Sequence, residues 1–329
     1  MSPWEAQLRA LNTLPTGLPE RWIPRRVIMG KSGSVLPSGV AVDFGGTKIA
    51  AARITSGRIG DILVEPTDGE ADATVQVDTI CHLLDQLELL PDERVAVASA
   101  GRVDHRGNWI PLNTETLSGI ETFPLREILS KRLQRDVTVE NDATAAAIGE
   151  FVAGAGADVA TGEGSMAFIT VSTGVGGGII LNGKPLTSSS GLAGHIGFTT
   201  SRIASGICGS GRRQTVENIA SGRAIAAQAS AKGVEGMDAR GVYDAHLSGA
   251  NWATEIIQGS ASAVAELCAN LHATLDLDLV VLGGGLGLAE GYLEMVQASL
   301  QEEPALFQPP IAAAELGVGA ALIGALYDF

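Results

Sequence analysis

Apolar residues gather in short runs that stop at glycine, and longer stretches with a helical period separate those runs. Residues 40–44 form one such run ahead of Gly45-Gly46. The β-rich stretches 49–54 and 60–65 follow, so a hairpin sheet is predicted to open the regular part of the chain. In 73–90 the apolar positions Val75, Val77, Ile80, Leu83, Leu84, Leu87 and Leu90 keep the period of a helix that Pro91 closes. A buried strand at 95–98, a helix at 125–133, a strand at 137–140 and an Ala-rich helix at 142–153 come next. The second half repeats this grammar. Strands are predicted at 166–171 and 178–181 around a glycine-rich turn, and a long helix at 252–275 is apolar over much of its circumference. A strand at 279–282 runs into Gly283-Gly284-Gly285, and a final Ala/Leu/Gly-rich helix covers 312–326. Strand, glycine turn and helix in both halves predict two α/β domains with a ligand cleft between them.

Residues 1–38 stand apart from this pattern. Pro3, Pro15, Pro19, Pro24 and Pro37 interrupt any regular period, and Arg9, Arg21, Arg25, Arg26 and Lys31 outnumber Glu5 and Glu20. The segment reads as an irregular extension.

Composition narrows the class. With 45% hydrophobic residues, the 329-residue chain can bury a sizeable core and is not a disordered one. Its 22 basic against 37 acidic residues give a net charge of −15, which argues against nucleic acid or an anionic membrane as the main partner. No apolar run approaches the ~20 residues that span a bilayer, and the first residues lack the basic-then-apolar order of a secretory signal. Cys81, Cys208 and Cys268 are too scattered for a disulfide framework and fit a reducing compartment. A cytoplasmic protein is expected.

Three glycine turns and one acidic pair carry the candidate chemistry. In Asp43-Phe44-Gly45-Gly46-Thr47-Lys48, glycines after a strand let backbone N–H groups approach a polyphosphate, with Thr47 and Lys48 as side-chain donors. Asp43, at the strand's carboxyl end, is placed to hold a hydrated Mg²⁺; an ordinary hairpin turn is the competing reading. The Walker A spacing is absent. A second turn, Ser172-Thr173-Gly174 with Gly176 to Gly178 after it, suits phosphate contacts through Thr173 and the Gly174 N–H. The third, Gly283-Gly284-Gly285, sits where a helix would begin and could face an adenosine. Asp142, at a strand end leading into a helix, is by spacing an N-cap first and a general base second. Asn141 beside it would bond a neighbouring hydroxyl.

Taken together, Asp43 to Lys48, Glu140-Asn141-Asp142, Thr173 to Gly178 and Gly283 to Gly285 resemble the ordered motifs of the ROK sugar kinases, over about residues 39–329. Within that family the chain is most similar to the bacterial N-acetylmannosamine kinases. The similarity lies in 217–226, in 287–293, in Leu112-Asn113 followed by Phe123-Pro124-Leu125, and in His195, where most family kinases carry Glu. The resemblance implies an α/β, two-domain actin-like or hexokinase-like (ribonuclease H-like) ATPase fold with an interdomain cleft. Residues 39–140, completed by a C-terminal helix at 314–329, would form one domain, and 141–313 the other. It implies ATP and Mg²⁺ as partners of Asp43, Gly45, Gly46, Thr47, Lys48, Thr173, Gly174 and Gly283 to Gly285. Gly101, Arg102, Asn113, Asn141, His195 and Glu217 would line the sugar pocket, with Asp142 as base. Phosphorylation of N-acetyl-D-mannosamine at its 6-hydroxyl, in sialic acid catabolism, by a homodimer is the activity so implied. A glucose or N-acetylglucosamine kinase and a non-catalytic sugar sensor stay open. The family's DNA-binding repressors need an N-terminal helix-turn-helix, for which 1–38 is too short and too broken by Pro.

The chain departs from the family at its metal. Where relatives carry a His and a Cys-rich run for structural zinc, the corresponding positions here are Phe198, Cys208, Ser210 and Thr215. No structural zinc is expected.

Overall fold

The computed structural model describes residues 36–69, 71–112, 122–161 and 163–328, so most of the 1–38 extension lies outside the described residues. The chain first lays down β1 (Gly39–Phe44), β2 (Lys48–Thr55) and β3 (Arg58–Pro66) as an antiparallel meander. β4 (Val95–Ser99) then pairs parallel to β1, and β7 (Val137–Asn141) parallel to β4, giving the order β3-β2-β1-β4-β7. A separate two-residue ribbon joins β5 (Arg102–Val103) and β6 (Trp109–Ile110). The central strands β1 and β4 are near-continuous apolar runs because both of their faces are covered. The edge strand β3 is half exposed and carries Arg58, Asp61 and Glu65, which discourages pairing with another chain.

The second sheet has the same plan. β8 (Met166–Val171), β9 (Val175–Leu181) and β10 (Lys184–Pro185) are antiparallel, and β11 (Leu279–Gly283) and β12 (Ile311–Ala313) add parallel to β8, in the order β10-β9-β8-β11-β12. Helices α1 (Ala73–Gln86) and α2 (Leu125–Leu133) cover the outer face of the first sheet around Val77, Ile80, Leu84 and Leu129. The outer face of the second is covered by α4 (Glu217–Ala220), α5 (Gly222–Ala231), α6 (Ala239–Leu247), the long α7 (Asn251–Leu275) and α8 (Tyr292–Leu300).

Between the two sheets lie α3 (Asp142–Ala153) and α9 (Gly319–Ala325). Their alanines and leucines share one core with Ala41, Ala52 and Ala96 of the first sheet and Met166, Phe168 and Val281 of the second. The helices meet backbone to backbone. A Cβ at Gly324 would stand 1.7 Å from the Ala145 carbonyl oxygen, and one at Gly149 2.1 Å from that of Ala320. Beside this crossing the Glu150 carboxylate is buried and accepts three backbone N–H bonds, from Ala155 (3.0 Å), Glu315 (3.0 Å) and Leu316 (2.8 Å).

Three expectations need correction. The 73–90 helix stops at Gln86, and Glu88 turns into the left-handed region before Pro91 is reached. The segment 312–326 is not one helix: Ile311–Ala313 pairs with β11, and the helix starts only at Gly319. Such a short apolar strand is indistinguishable by periodicity from a helical turn. Finally, β9 begins at Val175, so Gly176, Gly177 and Gly178 are strand residues; a Cβ at Gly178 would meet the Ala147 Cβ of α3 at 2.6 Å.

Gly324→Ala should lose about 2 kcal/mol or more of stability through overpacking at this crossing. Gly69→Ala, where a Cβ meets nothing within 4 Å, should stay within about 0.5 kcal/mol of the parent. Urea unfolding midpoints check both.

Candidate active site

The parallel strands of both sheets end toward one cleft, and every candidate motif sits at such an end. β1 delivers Asp43, β7 delivers Asn141 and Asp142, β8 leads into Ser172 to Gly174, and β11 into Gly283 to Gly285.

Asn141 rather than Asp142 is the N-cap of α3, a correction that changes what Asp142 is free to do. The Asn141 Oδ1 accepts the Thr144 N–H (2.9 Å) and hydroxyl (3.2 Å), while its Nδ2 donates to the Gly101 carbonyl (2.8 Å) and to Asp142 Oδ1 (2.9 Å). All four hydrogen-bonding positions of the Asn141 amide are thus used inside the protein, so a sugar hydroxyl would have to compete with them. Asp142 Oδ1 also accepts the Ala143 N–H at 2.8 Å. Burial and the charge of Asp43 push the Asp142 carboxyl up to about 7, against the pull of those donors. Burial likewise pushes Asp43 up to about 6, with the Lys48 charge pulling it back. Both carboxyls line one recess of about 340 Å³ together with Thr170 and Gly283 to Gly285.

A central cavity of about 420 Å³ brings together Gly46, Thr47, Gly101, Asn141, Asp142, Thr173, Gly174, His195, Phe198, Glu217 and Arg223. The His195 ring stacks on Phe198 with centroids 6.1 Å apart, and its Nε2 is buried with no partner. Burial and the Arg102 charge push the ring's pKa down, against a bond with Gly191, so it stands neutral. Glu217 opens α4, accepts the Val175 N–H at 3.2 Å, and has its pKa raised by burial. Next to this cavity lies a larger, mostly apolar one of about 660 Å³, lined by Ala226, Tyr243, Leu247, Leu286 and Ala289 with Asp238 and Arg240. Gly284 folds the third turn back onto β8 with φ +87°; a Cβ there would sit 2.4 Å from the Val171 carbonyl, which accepts the Leu286 N–H at 3.0 Å. No helix begins at Gly285; α8 starts only at Tyr292.

Other expected residues lie elsewhere. Arg102 lies beside Gly191, its Nε buried and unpartnered, and is not part of the central cavity's lining. Lys48 is exposed at the start of β2, and its carbonyl accepts the Gly45 N–H (2.9 Å), so that amide is spent within the turn. Asn113 lies outside the described residues. The loop carrying Phe198, Cys208, Ser210 and Thr215 is closed by bridges between Thr200 and Thr215 and between Ile207 and Arg213. Cys208 Sγ and Ser210 Oγ lie 2.9 Å apart, and Ser201 Oγ donates to Glu266 at 2.6 Å. Among the described residues no three His, Cys, Asp or Glu side chains are grouped to hold a metal ion. Arg223 and Tyr243 went unnoticed in the sequence because each reads as an ordinary residue on a helix; only the segment 217–226 pointed toward Arg223.

Two sheets of one topology, a shared helical layer and strand-end glycine turns around paired carboxylates define the two-domain actin-like, hexokinase-like fold with its interdomain cleft. Residues 39–328 match the ROK family, and the chain belongs to that family, as its motifs implied. It is 42% identical over 291 residues to the N-acetylmannosamine kinase of Vibrio cholerae, covering 88% of this chain and 98% of that one. The crystal structure of a ROK hexokinase from Thermus thermophilus matches with a TM-score of 0.72 at 31% identity, over 88% of this chain and 96% of that one. A ROK glucokinase from Streptomyces griseus, solved with glucose and AMPPNP, matches with a TM-score of 0.70 at 28% identity, over 88% and 98%.

The raised carboxyls fix a stability trend. With folded pKa values of about 6 and about 7 for Asp43 and Asp142, the folded chain holds protons that the unfolded chain has released above its ordinary carboxyl range. Their contribution is therefore full below about pH 4 and is lost as pH rises toward 7. Asp142→Asn should match the parent's melting temperature near pH 4 and exceed it by about 3 °C or more at pH 8, measured by thermal melts across that range.

Proposed function

We propose that this chain transfers the γ-phosphoryl group of ATP to the 6-hydroxyl of N-acetyl-D-mannosamine, giving N-acetylmannosamine 6-phosphate. The likeness to the Vibrio cholerae enzyme supports the sugar. The observation that carries the chemistry is Asp142, a carboxyl pushed up to about 7 and lining both the recess with Asp43 and the central cavity. A base with that pKa accepts the proton of a sugar hydroxyl at neutral pH without being permanently protonated. Asn141 holds the accepting carboxyl in place. His195, with its unpartnered Nε2, Glu217 and Gly101 receive the sugar hydroxyls, and the family resemblance adds Arg102 and Asn113 to the sugar-binding residues.

Thr47, Gly46, Thr173 and Gly174 position the polyphosphate, helped by Gly45 and Lys48, and Gly283 to Gly285 lead the adenosine into the apolar cavity. Asp43 presents a hard carboxylate to the recess it shares with Asp142, the kind of oxygen donor that Mg²⁺ takes when phosphate oxygens and water complete its shell. Bound at Asp43, Mg²⁺ supplies neutralisation of phosphate charge. The remaining catalysis is in-line positioning in a cleft from which water is excluded.

The same reading makes 39–140 with 314–329 one domain and 141–313 the other, in a homodimer that breaks down amino sugars derived from sialic acid. Three unpaired cysteines suit a cytoplasmic setting, and no helix among the described residues is long and apolar enough to cross a membrane. The bridged loop around Cys208 stands in for the family's structural zinc. Metal analysis of protein purified without chelator should find no stoichiometric zinc; one zinc per chain would overturn this part.

ADP release should be measured with ATP and Mg²⁺ against N-acetylmannosamine, N-acetylglucosamine, glucose and mannose. The kcat/KM for N-acetylmannosamine should exceed the others by about tenfold or more; a different winner reassigns the sugar. Asp142→Asn should lower kcat at least ~10²-fold, and a variant within twofold of the parent removes Asp142 from the mechanism.

A further inference from the structure

The proposed reaction brings a polyphosphate into a cleft already lined by Asp43, Asp142 and Glu217. Anions meeting anions need a cation at the point where charge builds up. Among the described residues the arginines and lysines lining the central and apolar cavities are two, Arg223 and Arg240, and Arg240 belongs to the apolar cavity alone. Arg223 lines both, as do Ser172 and Thr173 of the second glycine turn.

Its placement follows from the local sequence. Ser221 caps α5 by accepting the Ala224 N–H at 3.1 Å, which makes Gly222 and Arg223 the first residues of the helix. Their backbones are stapled to the glycine turn: the Gly222 N–H donates to the Ser172 carbonyl (2.8 Å) and the Arg223 N–H to the Thr173 carbonyl (3.3 Å). The guanidinium lies over the same turn. A Cβ built on Gly174 would stand 4.0 Å from Arg223 Nη2 and 2.7 Å from Glu217 Oε2, so glycine is what keeps the space between these groups open.

Resting on the phosphoryl-transfer reading above, we propose that Arg223 is a catalytic residue whose guanidinium contacts the γ-phosphoryl group in transit. In that step the 6-hydroxyl oxygen forms a bond to γ-phosphorus and its proton passes to Asp142. The bond from γ-phosphorus to the β,γ-bridging oxygen breaks, and its electron pair leaves with ADP. Negative charge spreads over the three equatorial oxygens as this happens, and a planar two-pronged donor fixed at the junction of the cavities meets two of them at once. The charge of Arg223 also reaches Glu217, where it works against the burial that raises that carboxyl's pKa. The guanidinium thereby couples the sugar side of the cleft to the phosphate side.

Arg223→Ala and Arg223→Lys test this, with kcat and both KM values measured on whichever sugar the parent phosphorylates fastest. The Ala variant should lose about 10²- to 10³-fold in kcat, keep the sugar KM within about threefold, and regain part of the loss when guanidinium chloride is added. The Lys variant keeps the charge without the fork and should fall between Ala and parent; its thermal melt, matching the parent's, secures the reading if the Ala variant fails to fold. Variants with kcat within about threefold of the parent would overturn the proposal. So would a loss confined to the ATP KM, or a rise in the sugar KM without guanidinium rescue, which would mark a holder of nucleotide or of Glu217. A parent that turns over no sugar defeats the functional reading itself and the role of Arg223 with it, an outcome distinct from an active parent whose variants keep its kcat.

Discussion

The contact on which everything else rests is the crossing of α3 over α9, where two helix backbones touch through Gly149 and Gly324. Each sheet packs one face on this pair, so the helices act as a common spine for both halves. Side chains of ordinary size at the crossing would push the sheets apart and empty the core between them. Because α3 starts at Asp142, the spine also carries the Asp142 carboxyl. Its position is therefore set by packing, through a helix buried along nearly its whole length, rather than by a loop.

At the other end of that logic stands a cap. Asn141 satisfies the first turn of α3 and with the same amide grips Gly101 and Asp142. One side chain thus ends a strand, starts a helix and orients the Asp142 carboxyl. The aim is paid for in electrostatics, since Asp142 and Asp43 share one buried recess, and burial holds both pKa values above the ordinary carboxyl range. A cleft with this charge favours ligands that bring cations or present hydroxyl protons.

Much of this was legible in the chain, for identifiable reasons. Continuous apolar runs such as those at Val95 and Leu279 reveal buried parallel strands because both faces must be covered. The helix from Asp142 to Ala153 announces itself by a capping pair followed by alanines. Which of Asn141 and Asp142 caps it was not legible, since either side chain can reach a free N–H and only the backbone angle decides. Ile311–Ala313 became a strand through its pairing with β11, a long-range fact that no local period encodes. Arg223 was hidden for a similar reason: a lone arginine near a helix start becomes chemically interesting only when the fold sets it against Thr173, Gly174 and Glu217.

The buried Glu150 gives the molecule a fulcrum. Its carboxylate takes N–H bonds from both chain segments that connect the spine helices to the second sheet, from Ala155 and from Glu315 and Leu316. Three such bonds keep the joint from sliding. Asp142 lies eight residues along α3 from Glu150, a lever arm of about 12 Å at 1.5 Å per residue. A tilt of about 10° about that point sweeps the carboxyl through about 2 Å, more than the ~1 Å misplacement that already costs an enzyme much of its rate. The firmness of the joint at Glu150 thus bears directly on where the Asp142 carboxyl stands.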